Sequence, residues 1–286
     1  MRRAAYIISI TAVLAAACGK DESRDHLATI PPAPGARPIL TRLPPTQSSD
    51  TARFRVLIAL DRTGNREHPL TLSNARRIIY NSKVLYTLSD QLSDLVRLPR
   101  QVLVHVQPCG AARAFYDPDN GSITICDEFI YTLGDVLDGA VPPDQFADAV
   151  VYATGFTFLH EAGHALIHQL ELPVTGREED VVDQFAVYLL VGNPEAERVA
   201  MAGADAFRQM FVKIESQGPL LFWDEHSLGE QRFVNINCWV LGSDPQTYQW
   251  MVRDDLVPAD RAVRCPGEWA QIQRSFSRLL APYARQ

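Results

Sequence analysis

The stretch HEAGHALIHQLELPVTGREEDVVDQFA, residues 160–186, carries three histidines and six acidic residues in a chain otherwise rich in Ala, Leu and Val. Residues 144–171 lack proline and have one glycine before HEAGH and one within it, so a long helix is expected to run through this motif. On a helix His160 and His164 stand one turn apart and face the same way, the spacing by which two imidazoles share one zinc ion. Glu161 lies beside them. A carboxylate there can take a proton from a zinc-bound water and later deliver it to a leaving amine.

Downstream, Pro173 is expected to stop this helix, and Thr175 followed by Glu178 has the spacing of a capping box that starts the next one. With Glu178 turned back to the backbone, Glu179 is left to point elsewhere, and Glu179 and Asp183 share a helix face. Climbing about 9 Å from His164 to the end of the first helix and descending about 6 Å to Glu179, at 1.5 Å per residue, leaves the two at comparable heights. Glu179 is therefore the expected third ligand, with Glu178 and Asp183 as substitutes. Asp183 is expected to accept a hydrogen bond from the outer nitrogen of a ligand histidine. Alone, GREEDVVD reads as a solvated acidic face; joined by a short turn to HEAGH, it reads as half of a metal site. His168 is left outside the site, because HExxHxxxH lacks the Gly and longer reach of HExxHxxGxxH.

Working outward, the body begins near Arg53 with the β-rich run FRVLIAL, followed by helical spacing over 71–98 and the strand QVLVHVQPC. RAFYDPDNGSITIC reads as a hairpin around Asp-Pro-Asp-Asn-Gly. Helical patterns resume at Glu128, continue beyond Gly192, pause in a loop from Gly218 to Gly229, and end with a helix from Glu268 to Leu280. Strands early and helices late describe an α+β fold.

The beginning of the chain reads as an address. Arg2 and Arg3 precede a short apolar stretch and small residues before Cys18, the pattern of a signal peptide over residues 1–17. LAAAC is similar to the lipobox of bacterial lipoproteins, with Leu14 one position early, which implies a lipidated Cys18 holding the protein at the bacterial cell envelope; simple secretion is the alternative. Residues 18–52, rich in Pro, Ser and charge, are expected to form a tether before one domain over 53–286. Removal of residues 1–17 leaves 25 basic against 34 acidic residues, a net charge of −9. With no basic stripe, nucleic acid is not an expected partner. Four cysteines remain in a compartment that permits disulfides; three pairings are available, and Cys109 with Cys126 and Cys238 with Cys265, the nearest neighbours, is the expected one.

HExxH followed by ExxxD on the next helix resembles the gluzincin branch of zinc metallopeptidases. More closely, HEAGHALI, LPVTGREEDVVDQFA, FYDPDNGSITIC, DEHSLGEQRF and RAVRCPGEW resemble a bacterial family assigned as metallopeptidases of unknown function, over about Arg53 to Pro282. The resemblance implies a zincin-like domain with a small antiparallel or mixed sheet on a long active-site helix. It implies one Zn2+ per chain on His160, His164 and Glu179, with Glu161 as base and a peptide or protein as substrate. Gluzincins often steady the oxyanion with a His or Tyr, and His226 is the candidate here, with Tyr188 and Tyr116 as rivals. The strand from Arg113 to Tyr116 is a candidate edge for substrate main chain. Two other readings remain: a non-catalytic envelope lipoprotein using the domain as a scaffold, and a zinc amidohydrolase acting on a cell-wall linkage.

Overall fold

The computed structural model describes residues 52–58 and 74–285. The signal peptide, Cys18 and nearly all of the expected tether lie outside the described residues. Those described form an α+β fold of ten α-helices and one small mixed sheet.

The sheet has the order β1-β2-β4-β3. Strands β1 (Phe54–Ile58), β2 (Val102–Gln107) and β4 (Ser122–Cys126) are parallel, and β3 (Ala114–Asp117) runs antiparallel to β4 at the edge. In β2 the alternation is plain: Val102, Val104 and Val106 are buried while Leu103, His105 and Gln107 face away. The β3–β4 hairpin turns where expected, because Asp117 accepts hydrogen bonds from the Asp119 amide and the Asn120 side chain, and Gly121 takes a positive φ of 70°.

Helices α1 (Ala75–Ser82) and α2 (Val84–Leu95) are divided by Lys83 in the left-handed region, with α3 (Asp127–Leu137) following β4. The central element is α4 (Phe146–Leu170), a 25-residue helix that packs on both strands of the hairpin and on helices of either side. It is buried nearly all round, including His160 and Glu161, so its sequence is apolar on every face and lacks the one-sided stripe of a surface helix. Helix α5 (Glu178–Leu190) folds back against it, and α6 (Pro194–Lys213), α7 (Gly229–Ser243), the short α8 (Trp250–Arg253) and α9 (Ala259–Ala262), and α10 (Cys265–Leu280) complete the helical half. The end of the chain is tied in: Arg97 N–H donates to Tyr283, and the Tyr283 hydroxyl donates to Leu170 at the end of α4.

Two details of the α4–α5 connection differ from expectation. Helix α4 ends at Leu170, where Glu171 adopts the left-handed conformation (φ 50°), so Pro173 lies beyond a stop already made. Helix α5 begins at Glu178 with Arg177 at its N-cap and no side-chain cap, so the Thr175–Glu178 capping box is not formed. The Glu178 carboxylate is held instead by an imidazole of α4, a stronger partner than one peptide N–H. The final helix starts three residues earlier than expected, at Cys265.

The cysteines pair as Cys109–Cys126 and Cys238–Cys265. The first joins the loop after β2 to the end of β4, and the second joins α7 to α10. No described helix is long and apolar enough to cross a membrane.

Candidate metal centre

Helix α4 places His160 and His164 on one face, and α5 crosses close enough to set Glu179 between them. Gly163 permits that approach: a Cβ there would stand 2.8 and 2.9 Å from Cγ1 and Cβ of Val182 on α5. Glu179 reaches both imidazoles, with His160 Nε2 3.0 Å from Oε2 and His164 Nε2 3.3 Å from Oε1. One donor atom from each of the three residues lies within 4.8 Å of the others.

The opposite nitrogens are held by carboxylates. His160 Nδ1 lies 2.8 Å from Asp183 and His164 Nδ1 lies 2.7 Å from Glu178. An ionised carboxylate only accepts, so both Nδ1 atoms carry a proton, and in the neutral form of each ring an Nε2 lone pair faces the Glu179 carboxylate. Lone pairs facing lone pairs favour a positive charge between them, supplied by a metal ion or by a proton on the ring. Moreover, Oε2 of Glu179 is buried without a hydrogen bond, although Nε2 of His160 and of His226 lie 3.0 and 2.9 Å away, outside donating geometry. Donors around a tetrahedral ion at about 2.1 Å stand about 3.4 Å apart, so a set whose members all lie within 4.8 Å of one another is compact enough to share one ion. The donor set, two imidazoles and one carboxylate, could hold a divalent metal ion.

Titration behaviour expresses the same demand for positive charge. Burial by itself would lower His160, but the nearby carboxylates of Asp183 and Glu179 override that and raise it to about 9. Burial would raise Glu179, yet the three surrounding imidazoles hold it far below the usual carboxylate range. Burial likewise opposes ionisation of Asp183, and Arg232 together with His160 brings it far down.

Arg232, on α7, was not picked out from the sequence as a site residue. Its Nε and Nη2 each donate to Asp183 at 2.8 Å, and its guanidinium lies 3.4 Å over the Phe207 ring. A bidentate, stacked arginine of this kind fixes the carboxylate that fixes His160. The only trace of it in the sequence is a lone charge within the otherwise largely uncharged run RFVNINCWVLGS.

Glu161 is buried, with its pKa raised by burial against the lowering effect of the neighbouring histidines and of the Tyr116 peptide N–H. That contact links it to the edge strand. In the β3–β4 ladder Cys126 N–H donates to Arg113, so polar groups of residues 113, 115 and 117 face β4 and those of Ala114 and Tyr116 face the free edge.

The remaining candidates separate. His226 enters the cluster from the loop before α7, its ring stacked on that of His160 at 6.0 Å and its side chain 42% exposed. Arg177 holds this loop by donating to the carbonyl oxygens of Asp224 and His226, and the Ser227 hydroxyl donates to Asp180 at 2.8 Å. Tyr188 is buried against α10 with its hydroxyl near Ser277, away from the cluster. The Tyr116 hydroxyl and His168 Nδ1 bond each other at 2.9 Å, outside the donor set. A second grouping, Cys109, Cys126 and Glu128, offers no thiolate because the cysteines are bonded to each other.

Comparison with curated proteins and with solved structures gives no match. A family model does match, over residues 68–280, which include every residue of the cluster. With about three quarters of its length covered, the chain belongs to the family described as "Putative metallopeptidase".

Proposed function

We propose that the protein is a zincin-like zinc metallopeptidase of small gluzincin type, exported and lipid-anchored through Cys18 at the bacterial cell envelope. The observation that carries this reading is the Glu179 carboxylate, whose buried, hydrogen-bond-free Oε2 faces Nε2 of His160 and whose Oε1 faces Nε2 of His164. Bound there, zinc supplies a Lewis acid that polarises a scissile carbonyl and makes water a better nucleophile.

The chain's own groups divide the remaining work. Asp183 and Glu178 hold the two histidines in the tautomer that leaves Nε2 free. Glu161, beside both ligands and with a raised pKa, accepts the proton of the attacking water and passes it to the leaving amine. His226 stands at the open side, where its ring N–H can donate to the carbonyl oxygen as negative charge develops on it. The free edge of β3, packed on α4, is available to pair with an extended peptide. A scaffold protein has no use for Glu161, and a purely structural zinc site normally has a fourth protein ligand.

Metal analysis combined with peptide cleavage tests this reading. Full-length protein is expected to hold about one zinc per chain, and His160→Ala, His164→Ala and Glu179→Ala each to lose it. Glu161→Gln is expected to keep zinc while cleavage falls on the order of a hundredfold or more. Wild type without zinc would overturn the assignment, and zinc-loaded protein active only on cell-wall amides would make it an amidohydrolase. For the anchor, Cys18→Ser is expected to move the protein from membrane to soluble fractions; a soluble wild type would leave simple secretion.

A further inference from the structure

Beside the cluster, the loop of residues 218–228 and the end of α6 enclose a cavity of about 390 Å3. Its walls are apolar side chains, Ile214, Pro219, Leu220, Leu221 and Leu228, together with the imidazole of His226. We infer that this cavity receives a large apolar side chain of the peptide substrate, adjacent to the bond that is cut, and that Leu220 and Leu221 set the preference. The inference rests on the peptidase reading above and adds the class of residue recognised.

Position is the first argument. His226 belongs to both places: it lines the cavity, and its Nε2 lies 2.9 Å from Glu179. One ring therefore separates the apolar space from the point where the ligand atoms converge. An extended peptide advances about 3.3 Å per residue, so a chain with its carbonyl at that point has a side chain of the next residue or two within reach of the cavity.

Chemistry is the second. The carboxylates in the wall are already engaged, Glu215 accepting from the Gly229 N–H and Asp224 from the His226 N–H, and the Ser227 hydroxyl donates to Asp180. An incoming polar group would lose water and find little in exchange, whereas an apolar one gains from burial. An acidic side chain would in addition meet Glu215 and Asp224. The cavity is also preformed, because Arg177 at the N-cap of α5 and Asp180 in its first turn hold the loop in place. Between two wall residues of that loop, Phe222 and Trp223 stand 75% and 80% exposed, leaving apolar surface uncovered beside the same opening.

The test uses zinc-loaded full-length protein and a peptide set varied at one position at a time. Cleavage is expected beside Leu, Phe or Met over Gly or Asp by ten- to a hundredfold in kcat/KM. Leu220→Trp, which fills the cavity, is expected to cut the Phe-over-Gly ratio at least tenfold with zinc content unchanged, and Leu220→Ala to shift preference toward the largest side chains. Binding of N-acetylphenylalaninamide to metal-free protein, followed by saturation-transfer NMR, reads the cavity without catalysis and is expected to weaken in Leu220→Trp. Cleavage whose selectivity ignores both variants would overturn the cavity assignment and leave the peptidase. Amide binding that responds to Leu220→Trp in a protein unable to cleave any peptide would uphold the cavity and overturn the peptidase. Neither cleavage nor binding would overturn both.

Discussion

Arg232 governs how firmly Asp183 can hold His160, since both of its hydrogen bonds to that carboxylate come from a partly buried, stacked guanidinium. Replacing it by Met leaves Asp183, 2% exposed, with the hydrogen bond from His160 as its remaining partner. Breaking one side of a buried ion pair typically costs about 3–5 kcal/mol, and loosening a carboxylate behind a metal ligand costs about 10- to 100-fold in metal affinity. Arg232→Met is therefore expected to lower both stability and zinc affinity. Arg232→Lys, which keeps the charge but loses the fork, should fall between. Competition with a zinc-binding dye measures the affinity; a value equal to wild type in Arg232→Met would show that Asp183 does not need the arginine. His160, His164 and Glu179 could be brought together from helical period alone, because their separations are local. Arg232 could not, since 49 residues separate it from Asp183 and only the tertiary fold makes them neighbours. Glu178 was misread for a related reason: a local capping rule competed with an imidazole across the helix pair, and the imidazole won.

Among elements, the α4–α5 pair is the one whose spacing the site cannot relax. Gly163 sits at the crossing, against the branched carbon of Val182, which has no flexible end to swing aside. In an isolated helix Gly163→Ala would stabilise by about 1 kcal/mol. Here the added methyl meets atoms at 2.8 and 2.9 Å, and overpacking at a buried contact costs about 1–3 kcal/mol. The clash therefore outweighs the propensity, and Gly163→Ala is expected to be less stable and, because Glu179 and Asp183 ride on α5, to bind zinc more weakly. Val182→Ala combined with Gly163→Ala should recover part of both losses. Denaturant unfolding of the single and double variants checks this; additive losses would mean the contact is not shared. Elements with clean periods or turn residues, such as β2 and the Asp-Pro-Asp-Asn-Gly hairpin, could be read directly from the chain. The parallel pairing of β1, β2 and β4 could not, because no local pattern reports which strands become neighbours.

At the scale of the whole molecule, the two disulfides close loops of 17 and 27 residues, one on the sheet and one between α7 and α10. Loop-closure entropy gives each about 3 kcal/mol, slightly more for the longer. Their consequences for the site differ. The Cys109–Cys126 bridge joins the strand ends at one end of the hairpin, where Glu128 also accepts from the amides of Cys109 and Gly110. That end keeps hydrogen bonds when the bridge is removed. The Cys238–Cys265 bridge fastens α7, the helix that carries Arg232 behind Asp183, to α10, and both of its cysteines are fully buried. Replacement of Cys238 and Cys265 by Ala is thus expected to lower stability by about 3 kcal/mol and to weaken zinc binding as well. Replacement of Cys109 and Cys126 should lower stability by a similar amount with less effect on zinc. Thermal unfolding and metal competition on the two double variants separate these outcomes. Equal effects on zinc would mean that the α7–α10 staple does not act through Arg232.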